Sequence, residues 1–206
     1  MVAATPPDPF EAGELVLDAG HELFRVHSLM RGGDEFNPGV GSPTRFAFFG
    51  DPKVPVLYGA DTERAAICES LLHDMPLSGG TLAPSAYNRH RMSRLVVGRD
   101  LRLAELFGTG LRRLGARPSE VTDTDASEYQ TTVLWAEAAH RAGFDGIAYM
   151  SRQCNSDRAY VFFGDRVMPG DITSDTAYDW AFGDEDSGLQ KLIVFCEVLK
   201  VDVHVR

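Results

Sequence analysis

A single α+β domain, one mixed sheet flanked by helices, is the architecture this sequence predicts, and three observations predict it. Strand-like segments lie near both ends of the chain. Helical segments lie between them, which indicates an α/β or α+β domain on a mixed sheet. The chain is 206 residues long and 44% hydrophobic, long enough for one well-cored domain and short for two.

Residues 1–15 read as a flexible lead-in, because Pro6, Pro7, Pro9 and Gly13 oppose a helix there, and the domain proper runs over 16–206. From His21 to Ser28, Leu23, Arg25 and His27 alternate with Phe24, Val26 and Ser28, which predicts the first strand. Arg25 on that strand reads equally as a solvated edge residue and as a ligand contact. The segment from Arg31 to Thr44 is dense in Gly, Pro, Asn and Asp and predicts a loop.

Arg45 to Glu69 is the stretch with the most chemistry. Arg45 to Phe49, a Gly50-Asp51-Pro52 turn and a strand from Val54 to Tyr58 predict a hairpin, followed by a helix that opens at Asp61 as N-cap and runs toward His73. At about 100° per residue, Ala65, Cys68, Leu71 and Leu72 form the buried arc and Glu69 falls at its edge. A carboxylate half-buried in this way costs desolvation unless a cation or donors meet it, and Arg45 is the candidate partner. A structural ion pair and a working pair stand equally open on this pattern.

Further on, Arg89, His90, Arg91 and Arg94 form a basic patch that reads first as a solvated loop and second as a phosphate contact. Arg94–Val97 and Leu101–Leu103 are strand candidates around a Gly98-Arg99-Asp100 turn. Gly108-Thr109-Gly110 lacks the third glycine and the strand-bound acid of a dinucleotide loop. Thr122 to Asp125 caps a helix over 127–142 with Leu134, Trp135, Ala138, Ala139 and Ala142 on its apolar side and Gly143 at C′. Strands then cover 146–151 and 159–163, with a polar loop over 153–158. Ser151 sits where the first of these surfaces, a frequent place for functional hydroxyls and for plain strand-end serines alike. An acidic loop around 175–186, with Trp180 and Phe182 embedded, and a closing strand from Leu192 to Val205 complete the reading.

The formal charge of −10 argues against a nucleic-acid face, which needs clustered Lys and Arg, but a few local arginines suffice for a small anion. Cys68, Cys154 and Cys196 lack zinc spacing and read as buried apolar residues or free thiols in a reducing compartment. The first residues lack a basic start and an apolar run, and no apolar stretch approaches about 18 residues. A soluble cytoplasmic protein without membrane contact is the expectation.

Several of these pieces together resemble the RES domain family, named for Arg, Glu and Ser. They are Phe24-Arg25-Val26, Arg45-Phe46, Val56 to Ala60 leading to Ala65 to Glu69, Tyr129-Gln130, Gly143 to Arg152, and Tyr160 to Asp165. The resemblance covers roughly 20–166 and implies a sheet core like that of ADP-ribosyltransferases. It also implies the toxin of a bacterial Xre/RES toxin–antitoxin pair, an NAD phosphorylase or glycohydrolase that depletes cellular NAD. NAD is then a substrate, inorganic phosphate the co-substrate, and no cofactor or metal is expected. By the same resemblance Arg45, Tyr58, Glu69 and Ser151 are the catalytic set, with Arg25 sharing in substrate binding. The family's Asn before the last apolar strand is replaced here by Ala159, and Asn155 and Arg158 are the candidate substitutes. An antitoxin with an Xre-like helix-turn-helix domain is the implied partner, with DNA contact left to it, and self-association is implied as well. The rival readings are an ADP-ribosyltransferase acting on a protein and a non-catalytic binding module.

Overall fold

The computed structural model describes residues 3–185 and 187–205. Its strands are β1 (Gly13–Leu17), β2 (Glu22–Ser28), β3 (Val56–Ala60), β4 (Gly80–Leu82), β5 (His90–Val97), β6 (Leu101–Leu106), β7 (Gly146–Met150), β8 (Arg158–Phe163), β9 (Ile172–Ala181) and β10 (Val201–Val203). Its helices are α1 (Glu63–Cys68), α2 (Pro84–Tyr87), α3 (Gly108–Arg113), α4 (Pro118–Val121), α5 (Tyr129–Arg141) and α6 (Gly188–Glu197). Eight strands form one mixed sheet in the order β1-β6-β7-β8-β3-β2-β5-β9, and β10 pairs with β4 in a small parallel ribbon. Within the large sheet only β6 and β7 run parallel.

Because side chains alternate across a strand, the sheet has two unlike faces. Val56, Ile147, Tyr149, Val161 and Phe163 point to one face and pack with Ala65, Cys68, Leu111, Trp135, Leu192 and Cys196 from the helices. Leu23, Leu57, Leu95, Leu103, Tyr160 and Phe162 point to the other, into a smaller cluster that contains no helical residue. Helices gathered on one face of a mostly antiparallel sheet make this an α+β domain, as expected. Glycine is required at one close approach: a Cβ on Gly146 lies 2.2 Å from the Val161 carbonyl, so a side chain there parts β7 from β8.

Six local expectations are corrected. Phe46 to Phe49 is not a hairpin strand: Phe46, Ala47 and Phe49 are all buried, so the run has no alternation and wedges into the helix-covered core against Tyr149 and Phe163. The helix after β3 is capped by Thr62, whose Oγ1 accepts from Ala65 N at 3.1 Å, because the Asp61 carboxylate is taken by other partners. α5 buries Trp135, Ala138 and Ala139 as expected, but its face also takes in Thr132 and Ala136, while Leu134 is only half-buried and Ala142 exposed. The acidic stretch is mostly strand β9, whose Asp175 and Asp179 pair at 2.5 Å with Arg94 and Arg91 of β5. The expected basic loop is therefore strand too, with two of its arginines neutralised; Asp186 lies outside the described residues. Finally, Leu192 opens no strand. Leu189, Leu192 and Cys196 recur with helical spacing in α6, which overrides the β-branched composition of that segment.

The lead-in is held at several points over the residues described. Trp135 Nε1 donates to the Ala4 carbonyl at 2.6 Å, Phe10 meets the Trp135 ring edge-on, and Ala3 is buried.

Candidate active site

β2 and β3 are neighbours in the sheet but pair only at Phe24 and Ala60, and beyond that point they splay apart. A narrow cavity of ≈30 Å³ opens in the gap, lined by Arg25, Tyr58, Gly59, Glu69 and Tyr149 among others. The splay thus admits space to the middle of the sheet on the helix-covered side.

Glu69 is delivered there by the shortness of α1. The helix ends at Cys68 and Glu69 is its C-cap, so its side chain leaves the last turn toward the ends of β7 and β8 rather than into solvent. The carboxylate, 12% exposed, meets four groups. Ser151 Oγ donates to Oε1 at 2.7 Å and the Arg152 backbone N–H donates to the same oxygen at 3.0 Å. Tyr149 OH donates to Oε2 at 3.0 Å, and Arg45 Nη1 stands 4.0 Å from Oε2. Charge-assisted bonds of this kind offset the desolvation of a half-buried anion.

Arg45 is itself only 3% exposed. Nη2 donates to the Thr124 carbonyl at 3.3 Å, the guanidinium lies 5.8 Å from the centre of the Tyr129 ring, and Nε has no partner among the described residues. Its backbone is fixed as well, since Thr132 Oγ1 of α5 donates to the Arg45 carbonyl at 2.6 Å. Tyr129 in turn bonds His73 Nε2 at 2.6 Å, which ties this side of the site to the surface.

Tyr58 lines the cleft with its ring while its hydroxyl is occupied, 2.8 Å from Thr44 Oγ1 and accepting from Phe46 N at 3.2 Å. Burial pushes the phenol up to about 12, so it stays protonated. Burial, and next the charge of Glu69, push Tyr149 well above the usual tyrosine range. Ser151 has no exposed surface; its hydroxyl serves Glu69 and accepts from Cys154 N at 3.3 Å. It is placed to orient the carboxylate, not to touch a ligand.

The other expected residues divide. Arg25 borders the cleft from its place on β2, but alternation sends its side chain to the Leu23 face, where Nη1 is committed to the Gly33 and Glu35 carbonyls at 2.6 and 2.9 Å and braces the following loop; burial lowers its pKa to about 10, so it remains a cation. Asn155 is exposed and lines a separate cavity of ≈290 Å³ with Ser151 and Arg152. Arg158 is a correction. Alternation sends it to the same face as Tyr160, opposite Tyr149 and Glu69, and its Nε donates to Asp61 at 2.8 Å. Asp61 also bonds His21 and Tyr160, so Arg158 belongs to a structural cluster behind the sheet.

A wider cavity, ≈510 Å³, lies beyond Arg152 and is lined by His73, Leu77, Asp123, Thr124 and Asp125. Arg152 bridges it to the site, its amide on Glu69 and its guanidinium on Asp123 and Asp125. Sequence reasoning missed Tyr149 and the Arg152 amide. Tyr149 was within reach of it, since a residue two before Ser151 on a strand shares its face. Among the described residues no group of three or more His, Cys, Asp or Glu is placed to hold a metal ion, and no helix is long and apolar enough to cross a membrane. The three cysteines are free; burial raises Cys68 to about 12 and Cys196 to about 11.

Fold and site together define an α+β protein with a cleft where its sheet splays, lined by Glu69, which Arg45 and Ser151 hold from behind. The family model of the RES domain matches residues 16–181, and the chain belongs to that family. No curated protein matches it by sequence. Among solved structures it is similar to a chain of the crystal structure of the M. tuberculosis MbcT–MbcA toxin–antitoxin complex. That likeness has a TM-score of 0.56 at 15% identity, over 81% of this chain and 86% of that one, and it shows a shared fold.

Proposed function

We propose that this protein is the toxin of a toxin–antitoxin pair and that it cleaves the bond between nicotinamide and ribose in NAD by phosphorolysis. The observation that carries the reading is the carboxylate of Glu69, bonded by three donors and faced by Arg45 at the wall of the splayed cleft in a RES-domain chain. Cleavage of this bond needs little covalent help. Nicotinamide leaves with the bonding electron pair as a neutral ring, and positive charge grows on the ribose. A fixed anion beside that ribose stabilises the charge as it develops and accepts from a ribose hydroxyl.

In this reading Tyr58 forms the wall against the nicotinamide ribose. Arg45 faces Glu69, and its buried Nε, without a partner among the described residues, is the donor left for a phosphate oxygen. An oxygen of inorganic phosphate then attacks the anomeric carbon and gives ADP-ribose 1″-phosphate. An antitoxin with an Xre-like helix-turn-helix domain restrains the enzyme by covering the cleft and carries any DNA contact. The solved complex that shares the fold supports such a partner.

The test is product analysis of NAD incubated with the antitoxin-free protein, with and without phosphate. Phosphate-dependent release of nicotinamide with ADP-ribose 1″-phosphate is expected. Free ADP-ribose irrespective of phosphate means hydrolysis, label transferred to protein means a transferase, and intact NAD removes the enzymatic reading.

A further inference from the structure

The Glu69 carboxylate has about four positions at which it can accept a hydrogen bond. Ser151 Oγ and the Arg152 amide occupy both on Oε1, and Tyr149 OH occupies one on Oε2. One position is left, on Oε2, the oxygen nearest Arg45. Of the three donors only Tyr149 also lines the cleft, so it stands beside the vacant position. Its ring is fixed independently of this bond: it is buried and meets Phe46 edge-on, with centroids 5.1 Å apart.

We propose that Tyr149 is a positioning residue that turns Oε2 of Glu69 so that a single acceptor site faces the cleft, for one hydroxyl of the bound ribose. The assignment rests on the function proposed above. Ser151 and the Arg152 amide anchor the far oxygen and leave the carboxylate free to swing about it; the Tyr149 phenol removes that freedom. Because the phenol stays protonated, it remains a donor throughout the working pH range.

Tyr149→Phe tests this, since it keeps the ring against Phe46 and deletes only the donor. For NAD cleavage, kcat is expected to fall about 10- to 100-fold with KM changed less than about 2-fold, the pattern of an interaction made in the transition state. Tyr160→Phe is the matched control. It removes a buried phenol from a carboxylate, Asp61, on the other face of the sheet, and it should leave kcat unchanged. Unaltered kcat in Tyr149→Phe, or a loss seen equally in Tyr160→Phe, overturns the proposal while leaving NAD cleavage by the parent protein intact.

A second readout needs no turnover. With isotope-labelled Glu side chains, the Glu69 carboxyl signal at neutral pH should move in Tyr149→Phe and stay in place in Tyr160→Phe, because only the first loses a donor to that carboxylate. An unmoved signal in Tyr149→Phe overturns the proposal even if NAD is not the substrate.

Discussion

At the scale of the residue, the site is an exercise in keeping one carboxylate charged and still. Glu69 is mostly withdrawn from water, and each donor near it replaces hydration that the fold removes. Among the described residues Arg45 contributes the only formal cation within 4.0 Å, and it has little freedom of its own, being held through its backbone, through Nη2 and against Tyr129. Arg45→Ala is therefore expected to lower kcat for NAD by about 100-fold or more, in line with the loss of one preorganised charge. A kcat within about 3-fold of the parent would show the ion pair to be structural only. The pairing of Arg45 with Glu69 was legible in the sequence, because an acid at the edge of an apolar arc needs a partner. The buried setting of Ser151 was not, since a serine at a strand end reads the same whether its hydroxyl faces a ligand or a neighbour.

At the scale of the element, what matters is where strands stop and which face they show. β7 and β8 lie side by side, so Tyr149 and Ser151 reach the Glu69 side while Arg158 and Tyr160 reach the other. The hydrophobic run of each strand was legible as strand; its facing was not, because both faces of a central strand are apolar. That is why Arg158 was expected in the site and lies behind it. α6 and β9 were misread on composition: Ile193 and Val194, ahead of a Val-rich end, read as strand, and the acidic residues Asp175 and Asp179 read as loop; packing decided the first and pairing with β5 the second.

The cluster behind the sheet has its own consequence. Burial alone raises the pKa of Asp61, but its bonds with His21, Tyr160 and Arg158 together outweigh burial and hold it below the ordinary range. A carboxylate depressed in this way stabilises the fold fully above its unfolded value of about 3.9, and that stability is lost as pH falls through the lower folded value. Asp61→Asn should thus cost about 2 kcal/mol near neutrality, with the difference from the parent shrinking below about pH 4. Urea unfolding across pH measures it; a deficit that persists undiminished in acid would contradict the ion-pair account. NAD cleavage should be unaffected.

At the scale of the molecule, the sheet does two jobs that pull against each other. It closes a core on the helix-covered face, and between β2 and β3 it leaves off pairing so that a ligand can approach its middle. The fold class was legible from strands at both ends and helices between, because burying one face of a sheet against helices is the economical solution for a chain of this length. The splay was not legible, since no residue pattern announces that two adjacent strands share one register position. Yet the splay is what opens a cavity onto Glu69: under a continuous sheet Arg45, Glu69 and Ser151 would be a buried polar network and nothing more. The most direct measurement is NAD consumption by the purified, antitoxin-free protein beside a folded Glu69→Gln variant, which keeps the shape and removes the charge. Rapid loss of NAD by the parent and a fall of about 1,000-fold or more in the variant is the expected result. Equal rates in the two, or intact NAD with both, would contradict a catalytic Glu69.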